Sequence, residues 1–174
     1  MRRFLIVLFS LMLIVCSSHA SSLGIDMSTL TQDMLIEHRC FLTADTDDYS
    51  EIIVLFYGHD THKIRQINIE TLFDKSKYSA DDLTSFDPEE VFPGFRSMSF
   101  ASMTVDETPL AINVCVTFAK LNEPQNFRQA LQSGLFTGSF PGDYADVDTV
   151  AASLGGRELT MLEYGQVGLH FDVK

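Results

Sequence analysis

The residue types best suited to chemistry stand together in the segment His59-Asp60-Thr61-His62. Imidazole nitrogens and carboxylate oxygens are common ligands of zinc and other divalent metal ions. His59, Asp60 and His62 therefore predict a candidate metal site, and with it an alternative function as a small exported hydrolase assisted by the metal. The same residue types are also typical of a solvated turn between two strands, so both interpretations stay open.

Acidic side chains are concentrated in three other segments, at 45–51, 78–90 and 143–148. The candidate contact residues in these segments are Asp45, Asp47, Asp48, Glu51, Asp81, Asp82, Glu89, Glu90, Asp143 and Asp146. The first and last segments lack the glycine and glutamate spacing of an EF-hand calcium loop. We therefore predict that the acidic segments contact a positively charged partner.

No segment has the pattern of a known catalytic site. The chain contains neither the Gly-x-Ser-x-Gly turn of a serine nucleophile nor the Gly-rich, lysine-ended loop that holds phosphate groups. We predict no catalytic residues and no cofactor, which favours a protein that binds over one that catalyses.

The cysteines predict a covalent link across the fold. The chain has three, at Cys16, Cys40 and Cys115, and the first lies in the N-terminal apolar run. Removal of that run leaves an even number, which in an oxidising compartment predicts a Cys40–Cys115 disulfide. A catalytic thiol is the alternative.

Residues 1–20 are typical of a secretory signal peptide. Arg2 and Arg3 give a positive start, an apolar run follows from Phe4 to Val15, and small residues precede a cleavage site after Ala20. The run is shorter than the roughly twenty residues of a membrane-spanning helix. The residue before Cys16 is also larger than a lipoprotein signal requires. We expect an exported protein, periplasmic or secreted, with no stable membrane insertion after cleavage.

Net charge narrows the class of partner. The chain has 12 Lys and Arg against 24 Asp and Glu, a formal net charge of −12, and loss of Arg2 and Arg3 with the signal lowers it to −14. Nucleic acid requires a basic surface, so we predict no nucleic-acid binding. Strong acidity favours rapid association with a basic exported protein. The composition leaves the oligomeric state open.

Hydrophobic periodicity predicts the elements that position these residues. Strands are predicted near 33–43, 52–57, 67–73, 98–105, 110–118, 158–164 and 167–173, with a bulge at Ala101-Ser102. Helices are predicted to begin at Ser79, Asp87, Asn122 and Asp143, where capping residues precede apolar residues.

The order of these elements predicts an α+β fold. We expect a largely antiparallel sheet of about seven strands with about two to three short helices packed on one side, held by one disulfide. Residues 1–20 are then the signal peptide, 21–32 a loose N-terminal arm, and 33–174 a single domain.

Part of the domain resembles a known class of exported protein. A cysteine-bearing strand, a hydrophobic strand and a turn within residues 34–73 resemble small periplasmic lysozyme inhibitors and immunity proteins. The resemblance implies a small protein that neutralises an enzyme. At Ser133-Gly134-Leu135-Phe136 the chain has phenylalanine where the inhibitory loop of lysozyme inhibitors has tyrosine, so no site residue is carried over.

Together these observations favour an exported acidic binding protein. Within that class we favour an inhibitor or immunity-type protein that acts on a basic secreted enzyme. Two alternatives remain: the metal-assisted hydrolase centred on residues 59–62, and a structural subunit of an envelope or surface assembly.

Overall fold

The computed structural model describes residues 35–133 and 146–167. The strands are β1 (Ile36–Asp45), β2 (Tyr49–Gly58), β3 (Ile64–Asp74), β4 (Ala101–Glu107), β5 (Ala111–Phe118) and β6 (Arg157–Leu159). The helices are α1 (Ala80–Ser85), α2 (Pro88–Val91), α3 (Pro124–Gln132), α4 (Val147–Leu154) and α5 (Met161–Tyr164). The predicted signal peptide and N-terminal arm lie outside the described residues.

The described strands form one antiparallel sheet in the order β4-β5-β3-β2-β1-β6. The predicted α+β class and antiparallel sheet are confirmed. The sheet has six strands in the part of the chain that the structure describes, where about seven were expected. The hydrophobic run of β2 occupies the interior of the sheet and is buried on both faces, as a continuous apolar strand should be.

The main hydrophobic core lies on one face of the sheet, beneath α1 to α4. Alternate residues of β5 supply it with Ile112, Val114, Val116 and Phe118, which meet Phe127 of α3 and Val147 and Val150 of α4. The clean alternation of β5 therefore predicted its buried face correctly. The short helix α5 packs on the opposite face, where Tyr164 meets a smaller cluster around Val54.

The predicted Cys40–Cys115 disulfide is wrong, because both cysteines are free. Cys40 of β1 pairs with Val54 of β2, whereas Cys115 lies on β5, with β3 between β2 and β5. Three strand spacings of about 4.8 Å put the two cysteines at least roughly 14 Å apart, beyond the roughly 7 Å that a disulfide tolerates between Cα atoms. The even cysteine count carried no information about strand order.

The predicted strand at 158–164 is only partly correct. β6 ends at Leu159 and helix α5 begins at Met161. The Thr160 hydroxyl accepts from the Glu163 backbone N–H, and the Glu163 carboxylate accepts from the Thr160 backbone N–H in return, which makes a capping box. The capping box favours a helix at residues 161–164, where the apolar residues had predicted a strand. Residues 168–173 of the predicted last strand lie outside the described part of the chain.

Two other boundaries differ from the prediction. The β4–β5 register runs without a shift from Ala101 to Glu107, so the bulge predicted at Ala101-Ser102 is absent there. Met98 and Phe100 reach the core from the segment before β4. Helix α3 has Glu123 at its N-cap position, without a side-chain cap bond, one residue after the predicted Asn122.

Two glycines after helix α4 allow the chain to turn and β6 to pair with β1 at the edge of the sheet. Asp146 caps the start of α4, and the predicted cap Asp143 lies outside the described residues. Gly155 ends it with φ 66°, in the left-handed region that favours glycine. A Cβ at Gly156 would lie 2.6 Å from the carbonyl oxygen of Leu42, so β6 reaches β1 only because this residue has no side chain.

No helix within residues 35–133 and 146–167 is long and apolar enough to cross a membrane.

Candidate functional site

At one end of the sheet, the predicted acidic segment 45–51 contacts the end of β3, which leads into the predicted acidic segment 78–90. Residues 45–51 comprise the β1–β2 turn and the strand ends beside it, and residues 73–91 begin at the end of β3. The Asp74 backbone N–H donates to the Asp48 carbonyl oxygen at 2.9 Å, and the rings of Tyr49 and Phe73 lie 6.0 Å apart. We call this region, residues 45–51 with 73–91, the acidic end.

Three aromatic rings line a groove at the acidic end. The Phe73 ring meets Phe86 at 5.3 Å and Tyr78 at 6.1 Å between centroids, both edge to face. The groove has a volume of about 460 Å³. Its remaining lining residues are Asp82, Ser85, Asp87, Glu90 and Val91. We call this cavity the aromatic groove; it is an apolar floor with a carboxylate rim.

Local capping explains why the carboxylates stand on this rim. Ser79 and Asp82 form the capping box of α1, as the sequence predicted. Asp87 caps α2, where its carboxylate accepts from the Glu89 backbone N–H at 2.9 Å and Pro88 opens the first turn. Both helices are short, so these caps fix the direction of the side chains around Phe86.

The electrostatics of the groove are negative. Hydrogen bonds from Ser79 lower the pKa of Asp82, which keeps its charge. Burial raises the pKa of Tyr78, and the charge of Asp48 raises it further. Two ion pairs involve this end: Glu89 pairs with Arg96, and Lys75 pairs with Glu107 of the neighbouring strand β4.

The other predicted contact residues of the acidic end either accept hydrogen bonds from hydroxyl groups or are exposed to solvent. Asp45 accepts from the Ser50 hydroxyl at 2.8 Å, and Glu51 accepts from the Thr43 hydroxyl at 2.6 Å, so both are held by neutral donors. Asp47 and Asp81 are exposed. Most predicted acids of the first two segments are thus solvated or bonded to uncharged groups.

The predicted metal ligands lie at the other end of the sheet. The His59 imidazole Nδ1 lies 2.7 Å from the Glu37 carboxylate, and this contact raises the pKa of His59 and lowers that of Glu37. Of the predicted trio, His62 alone enters a possible ligand group in the described chain. Its partners there are Asp146 and Asp148, with the three ligand atoms within 4.8 Å of one another. Asp60 is exposed.

Two features of this group oppose a bound cation. Arg39 donates to Asp148 at 2.8 Å and makes a bidentate pair with Glu158 at 2.7 Å. Asp146 caps α4, and the first turn of a helix carries partial positive charge. A metal ion would compete with Arg39 for Asp148. We call the 58–64 turn with Glu37, Arg39, Asp146 and Asp148 the histidine end.

A carboxylate that the sequence analysis missed is buried on the face opposite the main core. Glu70 of β3 is 6% exposed and accepts from the Tyr164 hydroxyl at 2.9 and 3.0 Å. Burial raises the pKa of Glu70. Burial likewise raises the pKa of the Cys40 and Cys115 thiols to about 12, which keeps them protonated and poorly nucleophilic.

Sequence reasoning found the acids of the acidic end but missed its rings. Phe73, Tyr78 and Phe86 alternate with the acids of residues 73–91, and this mixture was the available signal. The cluster of His62 with Asp148 had no such signal, because those residues are far apart in the chain.

Comparison with known proteins adds little. No family model matches the chain, and no curated protein matches it. Among solved structures, the chain is similar to the "NMR structure of the protein from Streptococcus pneumoniae TIGR4", with a TM-score of 0.44 and 7% identity. That alignment covers 72% of this chain and 86% of that chain. At this level of similarity, no function is transferred.

Proposed function

We propose that this chain is an exported acidic binding protein, of the inhibitor or immunity type, that acts on a basic secreted enzyme. The observation that carries the proposal is that the 45–51 segment contacts the 73–91 segment, which by itself lines the aromatic groove. This arrangement concentrates negative charge and apolar contact area in one place. Export is expected from the N-terminal sequence.

The physical role of the acidic end is to attract and then hold a cationic surface. Like charges gathered at one end of a small domain attract a basic partner over a Debye length, about 10 Å at 0.1 M salt. Such steering raises the association rate and weakens as salt increases. The groove supplies apolar area that does not depend on salt, so it contributes mainly to the lifetime of the complex.

The first experiment captures the partner with the tagged mature protein, expressed in its own host, at low and at moderate salt. Capture becomes informative when the recovered protein is a basic enzyme whose activity the purified chain inhibits. An enzyme that binds without loss of activity would contradict the inhibitor role.

The second experiment measures the association rate of that pair. The variant Asp48→Asn/Asp81→Asn should slow association several-fold at low salt, and the difference should shrink as salt rises. The matched control Asp60→Asn/Glu123→Gln removes the same charge at the opposite end of the sheet and should leave the rate nearly unchanged. An association rate that does not respond to salt would contradict the mechanism.

A metal-assisted hydrolase is the second candidate, favoured by the group His62, Asp146 and Asp148. Imidazole and carboxylates are a suitable donor set for a divalent ion. The test is the metal content of protein purified without chelators. Zinc that is lost together with hydrolase activity in His62→Ala would support this function, and metal-free protein that regains no activity with added zinc would remove it.

A further inference from the structure

We propose that the aromatic groove binds a single arginine side chain of the basic partner. This inference rests on the proposed function and deepens it, because it names the group that the groove recognises. The guanidinium lies against the rings of Phe73, Tyr78 and Phe86, and its N–H groups donate to the carboxylates of the rim.

The rings suit a flat cation with an apolar stem. Phe73 holds Tyr78 and Phe86 edge to face, at centroid distances of 6.1 and 5.3 Å, so the groove is lined by more than one aromatic surface. Aromatic faces attract cations through the ring quadrupole, and guanidinium stacks on them. The methylene stem of arginine adds apolar contact with Val91, another lining residue.

The carboxylates of the rim retain unused acceptors. One oxygen of Asp87 accepts from the Glu89 backbone N–H, and one oxygen of Asp82 accepts from Ser79. The second oxygen of each, and the exposed Glu90 carboxylate, has no hydrogen bond to another described residue. Because all three residues line the groove, their carboxylates are the acceptors nearest to a guanidinium bound there.

The same chemistry excludes other occupants. An anionic ligand would meet three carboxylates, and a neutral apolar side chain would leave them without a compensating charge. A lysine ammonium is compact and strongly hydrated, so it gains less from several ring faces than a planar guanidinium. The groove volume of about 460 Å³ falls in the range of ordinary ligand pockets and accommodates an arginine side chain.

The test is an NMR titration of the mature chain with N-acetyl-arginine amide. We expect saturable shifts of the Phe73, Tyr78 and Phe86 ring signals. The neutral isostere N-acetyl-citrulline amide should bind at least about tenfold more weakly, because it cannot form charge-assisted bonds. Equal binding of citrulline would overturn the charge recognition. Equal binding of N-acetyl-lysine amide would overturn the assignment to guanidinium.

Groove variants locate the binding. Asp87→Asn/Glu90→Gln removes two rim charges while asparagine still caps α2, and it should weaken the arginine amide about five- to tenfold. Phe86→Leu keeps apolar volume but removes a ring, and it should weaken binding about two- to fivefold. The control Asp60→Asn/Glu123→Gln should have no effect. If the control weakens binding as much as the rim variant, the groove is not the site.

The outcomes separate this inference from the proposed function. If the arginine amide does not bind while Asp48→Asn/Asp81→Asn still slows association with the captured enzyme, the groove proposal fails and the function stands. If the arginine amide binds as expected but Asp48→Asn/Asp81→Asn does not change the association rate with the captured enzyme, the proposed function fails and the groove remains a guanidinium site.

Discussion

The two ends of the sheet are both rich in acids, but they use them differently. At the histidine end and beside it on β6, acids have basic partners: Asp148 and Glu158 share Arg39, and Glu37 meets His59. At the acidic end, Asp45 and Glu51 accept from hydroxyls and Asp82 and Asp87 accept from helix caps. The histidine end pairs these acids with basic groups of the fold, whereas the acidic end pairs Glu89 with Arg96 and leaves most of its other predicted contact acids on neutral donors or in solvent.

The difference shows why acid counts alone cannot locate a binding surface. A carboxylate with a bidentate arginine has satisfied its charge within the fold, so a cationic partner gains little by approaching it. A carboxylate held by a hydroxyl or a backbone N–H keeps its charge and its attraction for a cation. The position of the arginines, more than that of the acids, decides which end is open.

The largest expected effect concerns the ring that joins the two segments of the acidic end. Phe73→Ala should lower the free energy of unfolding by about 3 kcal/mol, because Phe73 supports Tyr49, Tyr78 and Phe86 and packs on the core. Chemical denaturation measures this loss.

Phe73→Leu is the matched control, since it keeps most of the apolar volume and should cost less than about 1.5 kcal/mol. If Phe73→Ala costs no more than Phe73→Leu and leaves the Tyr78 and Phe86 ring signals unmoved, the acidic end does not depend on this ring.

The next effect concerns Glu70, the buried acid that belongs to neither end. Its pKa is raised by burial, so the folded state holds a proton more tightly than the unfolded state. Stability should therefore fall as pH rises from the ordinary glutamate range through the folded pKa. Each unit of pKa difference corresponds to about 1.4 kcal/mol.

Glu70→Gln removes this titration and can still accept from Tyr164. Its stability relative to the natural chain should rise across that pH window and level off above it, as thermal unfolding at a series of pH values would show. Glu90→Gln, an exposed substitution of the same kind, controls for the loss of one surface charge. A Glu70→Gln difference that stays constant with pH would contradict the raised pKa.

The smallest effect tests the comparison of the acids directly. Glu158→Gln should destabilise the fold by about 0.5–1 kcal/mol, because it weakens the bidentate pair with Arg39. Glu90→Gln should leave the melting temperature unchanged or raise it slightly, because it relieves repulsion among the acids of the groove. Thermal unfolding at low and high salt checks both, and salt should shrink both effects. Equal destabilisation by the two variants would contradict the distinction between an acid that is paired with arginine, Glu158, and an exposed acid of the groove, Glu90.

Much of the local structure was predictable because it depends on neighbouring residues. The caps at Ser79 and Asp87 and the alternation of β5 follow from hydrogen bonds and side-chain periods that span a few positions. The same reasoning failed at 160–164, where the apolar residues were read as a strand although Thr160 and Glu163 carry a capping box.

The sequence by itself determined the strong negative charge, the α+β class and most of the element positions, because composition and short-range periodicity carry that information. Only the tertiary structure decided that Cys40 and Cys115 lie strands apart, that Arg39 pairs with Asp148 and Glu158, and that Phe73 both contacts Tyr49 and lines the aromatic groove. The physical reason is strand order. Contacts between distant segments depend on which strands are neighbours, and no local pattern encodes that order.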